Sequence, residues 1–255
     1  MPKAITMDGV TAEMSTYWLS IDFDESFSDG FSRYGVDAER LTLKHRANAS
    51  LVHAEYRLSN HANAYDRIDG ILALKRAMQT RLEHLDKLYG LKQYPQCKAG
   101  GWLAVLESWG VIRRRMLQRM NRLRNAVEHD GAQPPDKNEF EDYCEVVWWF
   151  LRATTSLLAP LDELGLILKT GECCWFKLQY NPVQIDLTAH LFPENISDSA
   201  IPGWCKIDTS LKATPPGQGK YFYQPLPAGT LQVGGCITDP VRAEAFVKAS
   251  LAEIM

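Results

Sequence analysis

The chain is short of most features that would commit it to an extreme class. Its 255 residues carry 28 Lys and Arg against 31 Asp and Glu, a formal charge of -3. That near balance excludes a generally basic nucleic-acid binder, so any attraction to phosphate has to be local. No apolar run approaches the roughly eighteen residues of a membrane span, and no secretory leader pattern is read at the start. Cysteine is scarce, with six residues in all. Cys173 and Cys174 are adjacent, while Cys97, Cys144, Cys205 and Cys236 stand alone, none at metal-ligand spacing. The expectation is a cytoplasmic protein with reduced thiols, no metal, no cofactor and no membrane partner. Repeats and low-complexity tracts are also missing. Gly217-Gln218-Gly219-Lys220 is no phosphate loop, because it lacks the full spacing and a following helix.

What is present centres on residues 102–158. Apolar residues recur at Trp102, Val105, Leu106, Trp109, Ile112, Met116, Met120, Leu123 and Val127, which predicts one long amphipathic helix from Trp102 to His129. Asp130-Gly131 and Pro134-Pro135 stop it, since Gly suits a left-handed helix end and Pro lacks the donor. Asp136 then offers an N-cap with Glu139 three residues on. A second periodic run follows through Phe140, Tyr143, Val147, Phe150, Leu151 and Leu158. The expected result is a helical hairpin with a polar motif at the end of its first arm.

Upstream, Tyr17, Leu19, Ile21 and Phe23 alternate with Trp18, Ser20 and Asp22 in a strand pattern. Asp22, Asp24 and Glu25 miss the calcium-loop spacing and read as a solvated strand end. A helix is expected from Asp37 to about Leu58, and another from about Ala62 to Tyr89. The stretch from Pro95 to Gly101 reads as a connection. Beyond Gly165 come short aromatic and β-branched runs at 175–180, 183–191, 221–223 and 231–237. Asp239-Pro240 caps a last helix. This C-terminal module can pair with the N-terminal strand. The domain reading is residues 1–58 as a strand and helix segment, 59–165 as a helical domain, and 166–255 as a β-rich module with a terminal helix.

Arg124-Asn125-Ala126-Val127-Glu128-His129 resembles the signature of the HEPN superfamily, whose ribonucleases carry Arg, four to six residues, then His, commonly with Asn after the Arg. The resemblance covers roughly residues 60–161 and includes the upstream run from Ile71 through Leu82, Leu85 and Tyr89. It implies an α+β chain. Its core would be a HEPN-like antiparallel α-helical bundle, with the N-terminal segment and a small C-terminal mixed or mainly β module attached. It also implies a homodimer in which two motifs share one cleft and cleave RNA without metal. The setting expected is a toxin with an antitoxin of nucleotidyltransferase type, or an anti-phage effector. Many such domains lack chemistry, so the alternative is a module for dimerisation or for RNA or nucleotide binding.

The residue types suit that chemistry. Cleavage through the 2′-hydroxyl needs a base, an acid for the departing 5′-oxygen, and positive charge beside the phosphate. His129 can exchange protons near neutrality, Arg124 can grip phosphate oxygens bidentately, and Asn125, one turn before His129, can orient it. At about 100° per residue, Asn125 and His129 fall opposite the apolar stripe, in line with Arg114, Gln118, Asn121 and Arg122, while Arg124 sits on the border. Arg114, Arg119 and Arg122 are the expected RNA contacts, within a cluster that also holds Arg113 and Arg115. A polar face of this kind is also what any helical bundle turns to water, and Arg124 with Glu128 makes an ordinary i,i+4 ion pair. No constellation of reactive residues stands out in the C-terminal module.

Overall fold

A computed structural model of the chain describes residues 15–21, 31–34, 38–60, 63–128, 136–168, 170–209 and 226–252. His129, the acidic trio Asp22, Asp24 and Glu25, the run 221–223 and the Gly217–Lys220 turn lie outside the described residues. In chain order the elements begin with strands β1 (Ser15–Leu19) and β2 (Phe31–Tyr34). Helices α1 (Ala38–Ser59), α2 (Ala64–Tyr89), α3 (Pro95–Ser108), α4 (Arg114–Glu128) and α5 (Lys137–Ala153) follow. Then come β3 (Leu161–Ile167), β4 (Cys173–Tyr180), β5 (Val183–Leu191), β6 (Ile196–Ser197), β7 (Cys205–Thr209), β8 (Leu231–Ile237) and helix α6 (Pro240–Ala252). Two compact units result, one holding the sheet and one holding α1 to α5.

The sheet unit draws strands from both ends of the sequence. Its order is β2-β3-β4-β5-β8-β7-β1-β6. β1 runs antiparallel to β7, with Ser15 opposite Thr209 and Leu19 opposite Cys205. β5 and β8 pair from Asp186–Cys236 to Leu191–Leu231. Alternation sets the faces: Phe176 and Leu178 of β4 and Ile185, Leu187 and Ala189 of β5 are buried, while Lys177, Gln179 and Gln184 are exposed. Helix α6 covers the apolar face through Ala243, Phe246 and Val247, and the Phe246 ring lies 4.4 Å from that of Phe176. Asp239 caps α6, its Oδ1 accepting from the Val241 and Arg242 amides.

The expected fold class is therefore corrected. A HEPN-like helical bundle with a small C-terminal β module fits poorly, because the chain is a mixed α+β protein whose sheet is a large part of it. Two segments account for the difference. Leu161–Gly165 falls within the expected helical domain, yet Pro160 precedes it and the strand Leu161–Ile167 that it opens pairs with β4, Leu166 facing Cys174. Cys205–Thr209 carried too short an alternation to read alone, and it forms the strand to which β1 is laddered.

In the helical unit the local signals are explicit. Asn63 caps α2, its side chain accepting from the Tyr65 and Asp66 amides at 2.8 and 3.1 Å. Gly90 closes the helix at φ 60°, with its amide on the Asp86 carbonyl. Between these ends Ile71, Leu74, Met78, Leu82, Leu85 and Tyr89 are buried, and Ala47, Leu51 and Ala54 of α1 are buried too. Each such large aliphatic or aromatic side chain is worth about 1.5–3 kcal/mol of transfer free energy.

The single helix expected from Trp102 to His129 is two helices. Gly110 adopts φ 78° and ends α3 in a Schellman motif. Its amide bonds the Glu107 carbonyl, and the Val111 amide reaches back to Leu106. Val111 and Leu106 are both buried, the apolar contact that accompanies this cap. The periodicity survives across the break because Trp109 and Ile112 also face inward. Residues 95–99, expected as a connection, begin α3 with Pro95 at its first turn, and the helix is interrupted at Gly100-Gly101.

Candidate nucleic-acid interface

Helices α4 and α5 form the hairpin that carries the sequence motif. α5 starts with a capping box: the Asp136 carboxylate accepts from the Glu139 amide at 2.9 Å, and the Glu139 carboxylate accepts from the Asp136 amide at 3.4 Å. Phe140, Cys144, Val147, Phe150 and Leu151 are then buried on its core stripe. That stripe anchors α5 and leaves Glu145, Trp148 and Trp149 exposed.

The sequence of α4 holds five arginines against one glutamate, on a chain of formal charge -3. Arg114, Arg115, Gln118, Arg119, Asn121, Arg122 and Asn125 are exposed, and Met116 is half-buried. The three arginines expected to bind RNA, Arg114, Arg119 and Arg122, thus share one exposed helix with Asn125. Arg124 lies on the same helix, and His129 lies outside the described residues. At about 100° per residue, the backbone positions of Arg114, Arg122, Arg115 and Arg119 fan over about 140° of the α4 surface. Arg122 also acts electrically on α5. Burial foremost, then the Glu139 charge, push the Tyr143 phenol up, and Arg122 opposes them.

One flank of this basic surface opens into a groove of about 380 Å³ between α4 and α5. Arg115, Met116 and Arg119 line it from α4, and Glu145, Val146 and Trp149 from α5. Trp149 is 50% exposed and meets the Trp148 ring edge to face, with centroids 4.8 Å apart. Trp148 points into a different groove, of about 290 Å³, which it shares with Leu51, Val52 and Glu55 of α1. The sequence reading missed the Trp149 groove. The signal was there: Trp149 falls about 180° from Phe140 on the α5 wheel, far from the core stripe, and Glu145 sits one turn before it.

Elsewhere the reactive side chains are occupied structurally. Burial pushes the thiols of Cys144, Cys173 and Cys205 up to about 12, 11 and 11, which suits packing rather than nucleophilic work. The buried Glu172 carboxylate accepts from the Phe192 amide, the Asn195 amide group and the Thr170 hydroxyl. Among the described residues no group of three His, Cys, Asp or Glu is placed to hold a metal ion, and no helix is long and apolar enough to cross a membrane. Comparison of the chain with protein-family models, curated proteins and solved structures gave no match.

Proposed function

We propose that the chain binds RNA on the exposed arginine face of α4 and cleaves it without metal, as the likeness of its Arg124–His129 motif to HEPN ribonucleases implies. The observation that carries the reading is the concentration of exposed Arg114, Arg115, Arg119 and Arg122 on one helix of an otherwise acidic chain. Such a row attracts phosphate where the molecule as a whole does not. In this reading the 2′-hydroxyl loses its proton to one His129 and attacks phosphorus. The 5′-oxygen leaves with a proton from a second His129, and a 2′,3′-cyclic phosphate remains. Arg124 steadies the charge on the phosphate oxygens. Because one chain supplies one His129, base and acid come from two copies, and the active form is a homodimer.

Incubating RNA with the pure protein in excess EDTA tests this. The wild type should yield fragments ending in cyclic phosphate, and His129→Ala and Arg124→Ala should each lose about 10²–10⁴-fold in rate. His84→Ala, on α2, should cleave as wild type. A second reading, an RNA-binding module without chemistry, rests on the same arginine face. It replaces the first if the wild type binds RNA tightly and cleaves none.

A further inference from the structure

The groove between α4 and α5 is unlike the rest of the arginine surface, because it combines three kinds of group. Trp149 lines it with half of its surface exposed, Arg115 and Arg119 are exposed beside it, and Glu145 sets a carboxylate one helical turn from the indole. Met116 and Val146 make its floor apolar. A phosphate alone does not suit such a place, since Glu145 would repel it. A second apolar surface suits it no better, since two arginines and a glutamate would lose water there without partners.

A nucleotide with an unpaired base matches every group. A base has an apolar π-face for Trp149, its flanking phosphates are anions for Arg115 and Arg119, and its Watson–Crick edge carries donors for an acceptor-only carboxylate. We propose that this groove is a subsite for one unpaired nucleotide of bound RNA, its base stacked on Trp149 and its edge read by Glu145. The inference rests on the RNA-binding reading above and adds to it a position and a base preference. Guanine fits best, because its N1–H and 2-amino group present two adjacent donors to the two carboxylate oxygens. Uracil has a single edge donor between two acceptors, and those acceptors face the carboxylate unfavourably. A paired base is excluded, since its edge is already occupied and its faces are stacked.

The site lies about 9 Å along the α4 axis from Asn125, counting 1.5 Å per residue from Arg119. It therefore serves to choose which unpaired stretch is held near the motif rather than to take part in bond breaking.

Binding of fluorescent RNA decamers with 2′-O-methyl riboses isolates this subsite from cleavage, since the 2′-oxygen can no longer attack. Fluorescence anisotropy should show tighter binding of a guanine-rich than of a uracil-rich decamer. Trp149→Ala should weaken guanine-rich binding about tenfold or more, Trp149→Phe should retain most of it, and Tyr65→Ala, at an exposed aromatic of α2 outside the groove, should leave it unchanged. Glu145→Gln should erase most of the preference for guanine over uracil, by lowering guanine-rich affinity toward the uracil-rich value. Equal affinity in the wild type and Trp149→Ala overturns the proposal. So does a change in oligomeric state of Trp149→Ala at unchanged RNA affinity, which would make the groove a contact between copies of the chain. A wild type that cleaves RNA, with Trp149→Ala cleaving and binding alike, sinks the subsite and leaves the nuclease standing. Trp149-dependent binding with no cleavage does the reverse.

Discussion

Gly70 on α2 and Phe140 on α5 touch so closely that a Cβ at Gly70 would stand 2.1 Å from the Phe140 Cζ. Phe140 is wholly buried and opens the core stripe of the helix that carries Trp149. Glycine in mid-helix ordinarily costs about 1 kcal/mol relative to alanine, so Gly70→Ala should be stabilising if space allowed. Here overpacking, about 1–3 kcal/mol, should win. Thermal or urea unfolding should show Gly70→Ala less stable than wild type. Gly70→Ala with Phe140→Leu should recover part of the loss, giving a favourable coupling in a double-mutant cycle. A neutral or stabilising Gly70→Ala refutes the close contact.

How far the sequence foretold this arrangement depends on the range of the interaction. The Asp136–Glu139 capping box, the span of α2 to within two residues and the runs of β5 and β8 were all readable, because each is set by neighbours within a few residues. Gly110 could have been read as a stop, yet it lies inside an unbroken apolar period, and only its φ of 78° decides the matter. Gly70 gave no sign that Phe140, seventy positions away, would fill its missing side chain. The N-terminal strand was expected to pair with the C-terminal module, as β1 does with β7, but the weight of the sheet was hidden because β3 and β7 are strands only through their partners' ladders. At the candidate site, the charge of α4 was legible and the Trp149 groove was not, because a groove belongs to two helices and the period of either one describes only itself.

Arg81 of α2 is fully buried, and its Nη1 donates to the Leu151 carbonyl and the Thr154 hydroxyl at 2.9 Å each. Among the described residues its Nε and Nη2 meet no hydrogen-bond partner, and burial pushes the guanidinium down to about 10. A desolvated cation so sparsely met contributes little net stability. Arg81→Met should therefore change unfolding free energy by no more than about 1 kcal/mol in either direction. Thr154→Val, which keeps the cation and removes an acceptor, should cost about 1–3 kcal/mol. If Arg81→Met proves the more damaging of the two in chemical denaturation, this assignment of roles is wrong.

Acid should destabilise the helical unit in two steps. His84 sits below its ordinary 6.5, from burial first and then the Arg81 and Arg46 charges. A base depressed in the fold binds its proton more readily when unfolded, so stability falls as pH drops from about 6.5 through the folded value. Asp69 is held below 3.8, first by its hydrogen bond with His53 at 3.1 Å and then by Arg57. Its contribution is present above 3.8 and is lost as pH falls through the lower folded value. Melting curves from pH 8 to 2 should show both losses. His84→Asn should remove the upper one and Asp69→Asn the lower, and a variant that leaves its own step intact contradicts that assignment.

The strength of phosphate contact can be read separately from any chemistry. Exposed arginines that neutralise phosphates release counterions, and for single strands log K falls with log salt by about 0.7 per contact. Arg114, Arg119 and Arg122 are exposed and spread around one helix, so a flexible strand can meet all three at once. Arg114→Gln, Arg119→Gln and Arg122→Gln should each lower the salt slope by about 0.7, and the triple variant by about 2, with similar losses for every base composition. Trp149→Ala should behave differently, weakening binding at all salt concentrations with the slope preserved, because stacking on an indole releases no counterions. A triple variant whose slope equals that of the wild type would remove α4 from the RNA path, whatever the fate of the motif at its end.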